Sequence, residues 1–597
     1  MLQGFDATAR PEQGPPRLKA LREAMAEAGV DGFLVPRADM YQGEYVAPRD
    51  ERLAWLTGFT GSAGFAAVLR DTAALFVDGR YTLQAGAQVD PGAFAPVRWP
   101  QTKLADWLAS HLPGGGVVGF DPWLHTVQEI EGLRAKGEDR GISYSECDNL
   151  VDRIWEGQPP PPAAPLRVHP ERLAGESHGD KRARLARELA HAGHAASVLT
   201  QPDSIAWLLN IRGGDVRCTP LPHALALLHE TGAVELFVAA AKLTEEVRAH
   251  LGAGVALHPP EAFAVRLGEL DAPVRIDPAS APMAVKGLLP QPVHGADPCL
   301  LPKARKTAAE LAGMAAAHGR DAVAMCRFLA WLEAEAPGGA LTEIDVVRRL
   351  EAERARAPEL IDISFDTICG AGPHGAIVHY RVTEETNARV VPGQLLLVDS
   401  GGQYVDGTTD ITRTVATGPV TDEQRAAFTA VLKGMIAISR ARWPEGLTGR
   451  DLDALARAAL WQRGWDYDHG TGHGVGAALG VHEGPQRLSR VSDVGLERGM
   501  VLSNEPGYYR AGGWGIRIEN LVHVVEAPAL PGGDDRPMLA FETLTWVPID
   551  RRLIDPGALD AAERDWLDAY HAGVAARVGP ELDGAAADWL ARATAPL

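Results

Sequence analysis

Cysteine is scarce: five residues in 597. Cys147, Cys218, Cys299, Cys326 and Cys369 are widely spaced and form no C-x-x-C pair. That excludes a disulfide framework and a zinc knuckle and reads as reduced thiols. No apolar run reaches the roughly 18 residues of a membrane span. The N-terminal stretch Met1-Leu2-Gln3-Gly4-Phe5-Asp6 has no basic segment followed by an apolar one. The expectation is a soluble cytoplasmic chain with no membrane partner. Positive charge is also short, with 58 Lys plus Arg against 78 Asp plus Glu and a net charge of −20. Such a surface repels phosphate backbones, so nucleic acid is not an expected partner. There is no G-x-x-x-x-G-K-[ST] and no G-x-S-x-G, which removes P-loop and serine-elbow chemistry. His482-Glu483-Gly484-Pro485 starts like a zincin helix, but it lacks the second His and Pro485 would break the helix. The run Gly470–Gly476 lacks dinucleotide-loop spacing and carries His473 where small residues are needed.

What is present divides into three segments. Four prolines at 159–162 favour an extended linker, and a second boundary falls near Leu301-Pro302. The predicted domains are 1–157, 158–305 and 306–597. The first two read as a repeat. An amphipathic helix (Leu18, Leu21, Met25, Ala28), the strand Gly32-Phe33-Leu34-Val35 and Ala54-Trp55-Leu56 recur in order. Their counterparts are Leu185 and Leu189, Ala196-Ser197-Val198-Leu199, and Ala206-Trp207-Leu208. Each should be an α/β domain with a mixed sheet. The third opens with helices near 308–336 and 341–355 and continues with strands such as 394–398 and 521–525. It is predicted to be α+β, with helices backing a largely antiparallel sheet.

Carboxylates and imidazoles concentrate between 365 and 523. Asp399 directly follows an apolar strand, and Asp410 returns after a turn rich in Gly and Asp, so a hairpin would bring the two together. A carboxylate at a buried strand end is costly unless paired or metal-bound. The competing reading has Asp399 capping a turn and Asp410 paired with Arg413. His473 among glycines, Glu505 after Val501-Leu502, and Glu519 in Ile516-Arg517-Ile518-Glu519 are individually weak, a solvated loop or strand face being the plainer reading of each. As a set, four carboxylates and one imidazole without a thiolate suit a pair of divalent ions, manganese, cobalt or zinc.

The phrases carrying these residues resemble those of a known family. They are Gly375-Ala376-Ile377-Val378-His379-Tyr380, Val398-Asp399-Ser400-Gly401, Asp406-Gly407-Thr408-Thr409-Asp410, His469-Gly470-Thr471-Gly472-His473-Gly474, Val481-His482-Glu483-Gly484-Pro485, Ser503-Asn504-Glu505-Pro506-Gly507-Tyr508-Tyr509 and Gly515-Ile516-Arg517-Ile518-Glu519-Asn520. Together they resemble the Xaa-Pro aminopeptidases, in the long three-domain cytosolic form of the pita-bread (M24) metallopeptidases. Asp78-Gly79-Arg80-Tyr81 and Asp203-Ser204-Ile205-Ala206-Trp207 extend the likeness into the earlier segments.

The resemblance implies two duplicated creatinase-like α/β domains followed by a pita-bread catalytic domain. It implies release of the N-terminal residue from peptides with proline second, by a hydroxide bridging two divalent metals, manganese first with cobalt or zinc as alternatives. Asp399 would bind one metal, His473 and Glu505 the other, and Asp410 and Glu519 both. His379 and His482 would orient or stabilise the scissile carbonyl, and Glu505 would accept the water's proton. His469, Arg517 and Tyr509 would belong to the substrate pocket, and the protein would be a homodimer. Cys369 and His374 stand where relatives more often have Ser and Asn, which puts the shape of the adjoining subsite, and oxidation of Cys369, in question. A dipeptide-restricted prolidase, a metal-free creatinase-like enzyme and a binding module on the same fold are the rival readings. The two N-terminal segments and the complete ligand set count against them.

Overall fold

The computed structural model describes residues 2–597. The chain packs as two compact units, one of Thr8–Glu171 with Glu176–Leu300, the other of residues 2–7, Arg172–Gly175 and Leu301–Leu597.

The first unit contains two six-stranded mixed sheets of identical topology. In one, Ala95–Arg98, Ala73–Val77, Phe65–Leu69, Gly32–Pro36, Gly116–Phe120 and Ile142–Glu146 are neighbours in that order. The other repeats it with Val255–His258, Val234–Phe237, Leu225–His229, Ala196–Leu199, Val274–Ile276 and Pro292–His294. The pairings match in direction as well: two antiparallel contacts at the centre and parallel ones outside. The α/β duplication therefore holds at the level of strand order, and residues 158–166 between the halves carry no regular structure. The central strand Gly32–Pro36 is buried over its first four residues. That explains its continuous apolar run where a one-sided strand would alternate.

In the second unit, helices α1 (Ala308–Glu335) and α2 (Glu343–Arg354) each start at a capping box, Thr307 with Glu310 and Thr342 with Asp345. Each such cap contributes about 1 kcal/mol. Strands β1 (Ile368–Ala371), β2 (Leu395–Ser400) and β3 (Ile411–Ala416) form one antiparallel sheet in the order β1-β2-β3. Helices α3 (Asp422–Ser439) and α4 (Gly449–Trp461) follow. The rest is antiparallel too: β4 (Gly472–Gly474), β5 (Glu483–Leu488), β6 (Val501–Asn504), the β7 (Gly507–Arg510) and β8 (Trp514–Arg517) hairpin, and β9 (Asn520–Glu526). Helices α5 (Ala561–Val578) and α6 (Gly584–Ala593) close the chain. One apolar core joins α1 (Met325, Phe328, Leu329) to β2 (Leu395–Val398), α3 (Phe428, Val431) and α5 (Leu567, Val574). It backs the sheet with helices and leaves the strand ends to carry polar groups.

Candidate metal centre

The hairpin expected between Asp399 and Asp410 is formed by β2 and β3, with Asp399 opposite Thr412 and Ser400 opposite Ile411. Asp410 precedes β3 directly. Glu519 is delivered to the same place by its own backbone, its N–H donating to the Thr412 carbonyl at 3.1 Å. The Thr412 hydroxyl then donates to Glu519 Oε2 at 2.7 Å. Asp399, Asp410 and Glu519 are 7%, 3% and 1% exposed. The solvated-face reading of Glu519 is thus overturned, because β8 and β9 lie against β3 instead of facing solvent.

Opposite them, β4 carries His473 between two glycines. A Cβ on Gly472 would meet the Ser503 carbonyl at 1.9 Å, and one on Gly474 the Glu483 carbonyl at 2.2 Å. Only glycine lets the strands close this tightly around the imidazole. His473 Nδ1 lies 2.9 Å from the Gly474 carbonyl. A carbonyl only accepts, so Nδ1 carries the proton and Nε2 presents a lone pair. That Nε2 is 3.4 Å from Asp410 Oδ2 and 3.5 Å from Glu505 Oε1. Asp410, His473 and Glu519 each offer a ligand atom within 4.8 Å of the others.

The electrostatics of this cluster ask for a cation. Burial, then Asp399, push the Asp410 carboxyl well above its usual range, against His482 and Arg517. Burial followed by Asp410, Glu505 and Asp399 does the same to Glu519. Burial raises Glu505 to about 7, His473 and Arg517 opposing and Asp410 and Asp399 assisting. Asp399 Oδ1 and Asp410 Oδ1 are buried with no hydrogen-bond partner. Like charges at this range are unfavourable unless protons or a divalent ion neutralise them. A buried Asp/His/Glu set of oxygen and imidazole donors, with orphaned lone pairs, fits a metal ion.

Arg517 organises the neighbouring side. It donates from Nη2 to Asp399 Oδ2 at 2.6 Å, from Nε to Thr412 Oγ1 at 3.2 Å and from Nη1 to the Tyr509 hydroxyl at 2.7 Å. Burial works against its charge, but Tyr509, Asp399 and Glu505 more than offset that and hold its pKa above the usual value. His469 Nδ1 donates to the Gly470 carbonyl at 2.7 Å, leaving Nε2 to accept from Tyr509 at 2.9 Å. Arg517, Tyr509 and His469 therefore form one directed chain. His482 is exposed and sets its ring edge-to-face on His473 at 4.3 Å between centroids. His379 is half-buried in the turn after residues 372–376. The carbonyl of its neighbour Val378 accepts from Arg517 Nη2 at 3.4 Å.

One competing reading fails and one expectation is corrected. Arg413 does not pair with Asp410. On a strand it points away from Thr412, and its guanidinium donates to the carbonyls of Glu519 (2.6 Å), Val547 (2.7 Å) and Pro548 (3.0 Å). Cys369 is fully buried opposite Val398, its thiol pushed well up by burial and then by Glu343. It is protonated and inaccessible, which removes it as an oxidation site. His374 Nδ1 lies 2.9 Å from Glu343 Oε1, and its ring packs on Tyr380.

Residues 312–526 match metallopeptidase family M24, and 537–597 match the C-terminal region of peptidase M24. Residues 17–154 and 157–310 each match a creatinase/prolidase N-terminal domain. Aminopeptidase P2 of Arabidopsis thaliana is 41% identical, over 97% of this chain and 88% of that protein. The chain belongs to the aminopeptidase P family of metallopeptidases. A probable Xaa-Pro aminopeptidase P of Coccidioides posadasii is 39% identical over 99% of this chain and 95% of its own. The X-prolyl aminopeptidase of Caenorhabditis elegans, described as a cytosolic enzyme with a di-nuclear active site, superposes with a TM-score of 0.93. It is 33% identical and covers 98% of this chain and 100% of that one. The fold is thus that of the aminopeptidase P family, creatinase-type domains before a pita-bread domain.

One feature of this aminopeptidase P site escaped the sequence. Glu483, next to His482, is buried between two buried lysines, with Lys303 Nζ at 3.1 Å and Lys306 Nζ closer still. Separations of 180 and 177 residues leave no local signal, although V-H-E-G-P marks the strand end that the lysines clamp. Glu483→Ala would strand two buried cations. A loss of about 3–5 kcal/mol is expected, read from the urea unfolding midpoint.

Proposed function

We infer that the chain is a metal-dependent aminopeptidase that releases the N-terminal residue of peptides whose second residue is proline. The observation that carries this is the convergence of Asp399, Asp410, His473, Glu505 and Glu519, in a chain so like the aminopeptidase P relatives. Asp399 would hold one ion, His473 and Glu505 a second, and Asp410 and Glu519 both. Manganese is the expected metal, with cobalt or zinc as alternatives. Such ions supply Lewis acidity and lower the pKa of water.

The chain's own residues do the rest. Arg517 fixes Asp399 and Thr412, so the hairpin presents its carboxylates in one orientation. Glu505 takes the attacking water's proton on a carboxylate oxygen and returns it to the leaving proline nitrogen. His482 and His379 donate hydrogen bonds to the oxygen on which negative charge develops. His469, Tyr509 and Arg517 line the substrate side. An X–Pro amide has no N–H to grip, so recognition must rest on the ring and the free amino terminus.

The same reading places the protein in the cytoplasm as a homodimer, with domains 1–157, 158–305 and 306–597. Among the described residues no helix is long and apolar enough to cross a membrane. The test is digestion of Arg-Pro-Pro and Arg-Ala-Pro by manganese-reconstituted protein, followed by mass spectrometry. Arg should leave the first peptide only. Cleavage of an Arg-Pro dipeptide but neither tripeptide would point instead to a prolidase.

A further inference from the structure

Residues 2–5 pack within the second unit, against the segment that carries His379. Leu2 and Gln3 donate their backbone N–H groups to the two carboxylate oxygens of Glu351 on α2, each at 2.8 Å. The Gln3 side chain bonds both main-chain groups of Thr367, which directly precedes β1. Its Oε1 accepts from the Thr367 N–H at 2.7 Å, and its Nε2 donates to the Thr367 carbonyl at 3.3 Å. The two residues are 364 positions apart, so no local preference accounts for the pairing. Gln3 is 2% exposed and Phe5 5%, and the Phe5 ring belongs to the core shared by α1 and β2. Ordering this stretch costs conformational entropy. The charge-assisted bonds to Glu351 and the buried ring offset it.

The far flank of the same segment is held too. The Gly4 carbonyl accepts from Arg381 Nη2 at 3.2 Å and the Phe5 carbonyl from the Glu384 N–H at 2.9 Å. The Arg348 guanidinium covers the Phe5 ring at 5.5 Å and reaches Glu384 at 3.6 Å. Arg381 Nε pairs with Asp366 at 3.1 Å, which ties the two flanks to each other. Between the flanks, Glu343 of α2 accepts from the Ala371 N–H at 2.8 Å and the Tyr380 hydroxyl at 3.0 Å. His379 stands two positions before Arg381, and its neighbour Val378 meets Arg517. A shift of the 381–384 flank therefore moves the imidazole.

We propose that residues 2–5 are a positioning element for His379. They fix both flanks of the 366–384 segment and so aim the imidazole at the oxygen on which charge develops. This rests on the aminopeptidase reading. Gln3 and Phe5 act through that segment, not on the peptide.

The test is a double-mutant cycle in the otherwise full-length, manganese-loaded chain, with Arg-Pro-Pro as substrate. Its members are a deletion of residues 2–6, His379→Ala, and the two combined. The deletion should lower kcat at least about tenfold at unchanged metal content. In the His379→Ala background it should change kcat less than about twofold, because the residue it positions is gone. A merely structural role would multiply the two losses. Should the deletion fail to fold, Gln3→Ala, which leaves the Phe5 ring in place, takes its position in the cycle. Amide hydrogen exchange gives a readout independent of catalysis: residues 366–384 should exchange faster without residues 2–6. Unchanged kcat, the same proportional loss in both backgrounds, or unchanged exchange at 366–384 would overturn the proposal. An intact protein that leaves Arg-Pro-Pro uncut would instead sink the aminopeptidase reading, and exchange would still decide whether residues 2–5 hold the segment.

Discussion

Asp410→Asn is expected to lower X–Pro cleavage at least about 10³-fold, a barrier increase of about 4 kcal/mol, and at the same time to raise the melting temperature of the chelated protein. Opposite signs follow from the same charge. Without metal, Asp410 is a buried carboxylate beside Asp399 and Glu519, its pKa pushed well up by burial and by Asp399. The amide keeps the shape and needs no proton taken up on folding, as the buried carboxyl does above its unfolded pKa, so the apo fold gains. The metal loses an anionic ligand with an orphaned oxygen, so activity falls. A residue of merely structural importance would lose both, and a bystander would lose neither. Turnover, metal content and thermal melts with and without chelator check it together. Retained turnover within about tenfold would remove Asp410 from the metal set.

The second large effect is in pH. Chelated protein is expected to lose stability as pH rises from about 4 through 7 and above, with the metal-loaded protein largely spared. The folded state holds protons that the unfolded chain has released: on Glu505, raised from 4.5 to about 7, and on Asp410 and Glu519, both well above their ordinary values. Their contribution is fully present below the unfolded carboxylate pKa and is lost as pH rises through the folded one. The slope is about 1.4 kcal/mol per pH unit for each proton in play. A bound cation replaces those protons, so the gap in melting temperature between loaded and chelated protein should widen from pH 5 to pH 8. A gap that stays constant or narrows would mean that these carboxylates are not what the metal neutralises.

The sequence made the Asp399–Asp410 hairpin legible because both ends are local: an apolar strand, a Gly/Asp turn and a return strand. The duplicated sheets were legible for the same reason, as helix and strand recur in the same order. Glu519 looked like a solvated face because alternation along one strand says nothing about what packs on its polar side. Here that side meets β3 through Thr412. The competing reading that paired Asp410 with Arg413 rested on nearness in sequence, whereas strand geometry turns Arg413 toward Val547 and Pro548. The Lys303–Glu483–Lys306 cluster and the Tyr509–His469 link depend on long-range packing. No spacing rule reaches them. The resemblance named Arg517, Tyr509 and His469 as pocket residues, and the hydrogen bonds add that they act on one another and on Asp399.

The most direct measurement is a metal titration of the chelated protein with Arg-Pro-Pro and Arg-Ala-Pro present together. Each release of Arg is quantified against manganese added per chain. The expected result is no cleavage of either peptide without metal, then release from Arg-Pro-Pro alone, reaching its plateau only at two equivalents. Cleavage that survives chelation, or release from both peptides in parallel, would contradict a proline-selective dinuclear site built from Asp399, Asp410, His473, Glu505 and Glu519.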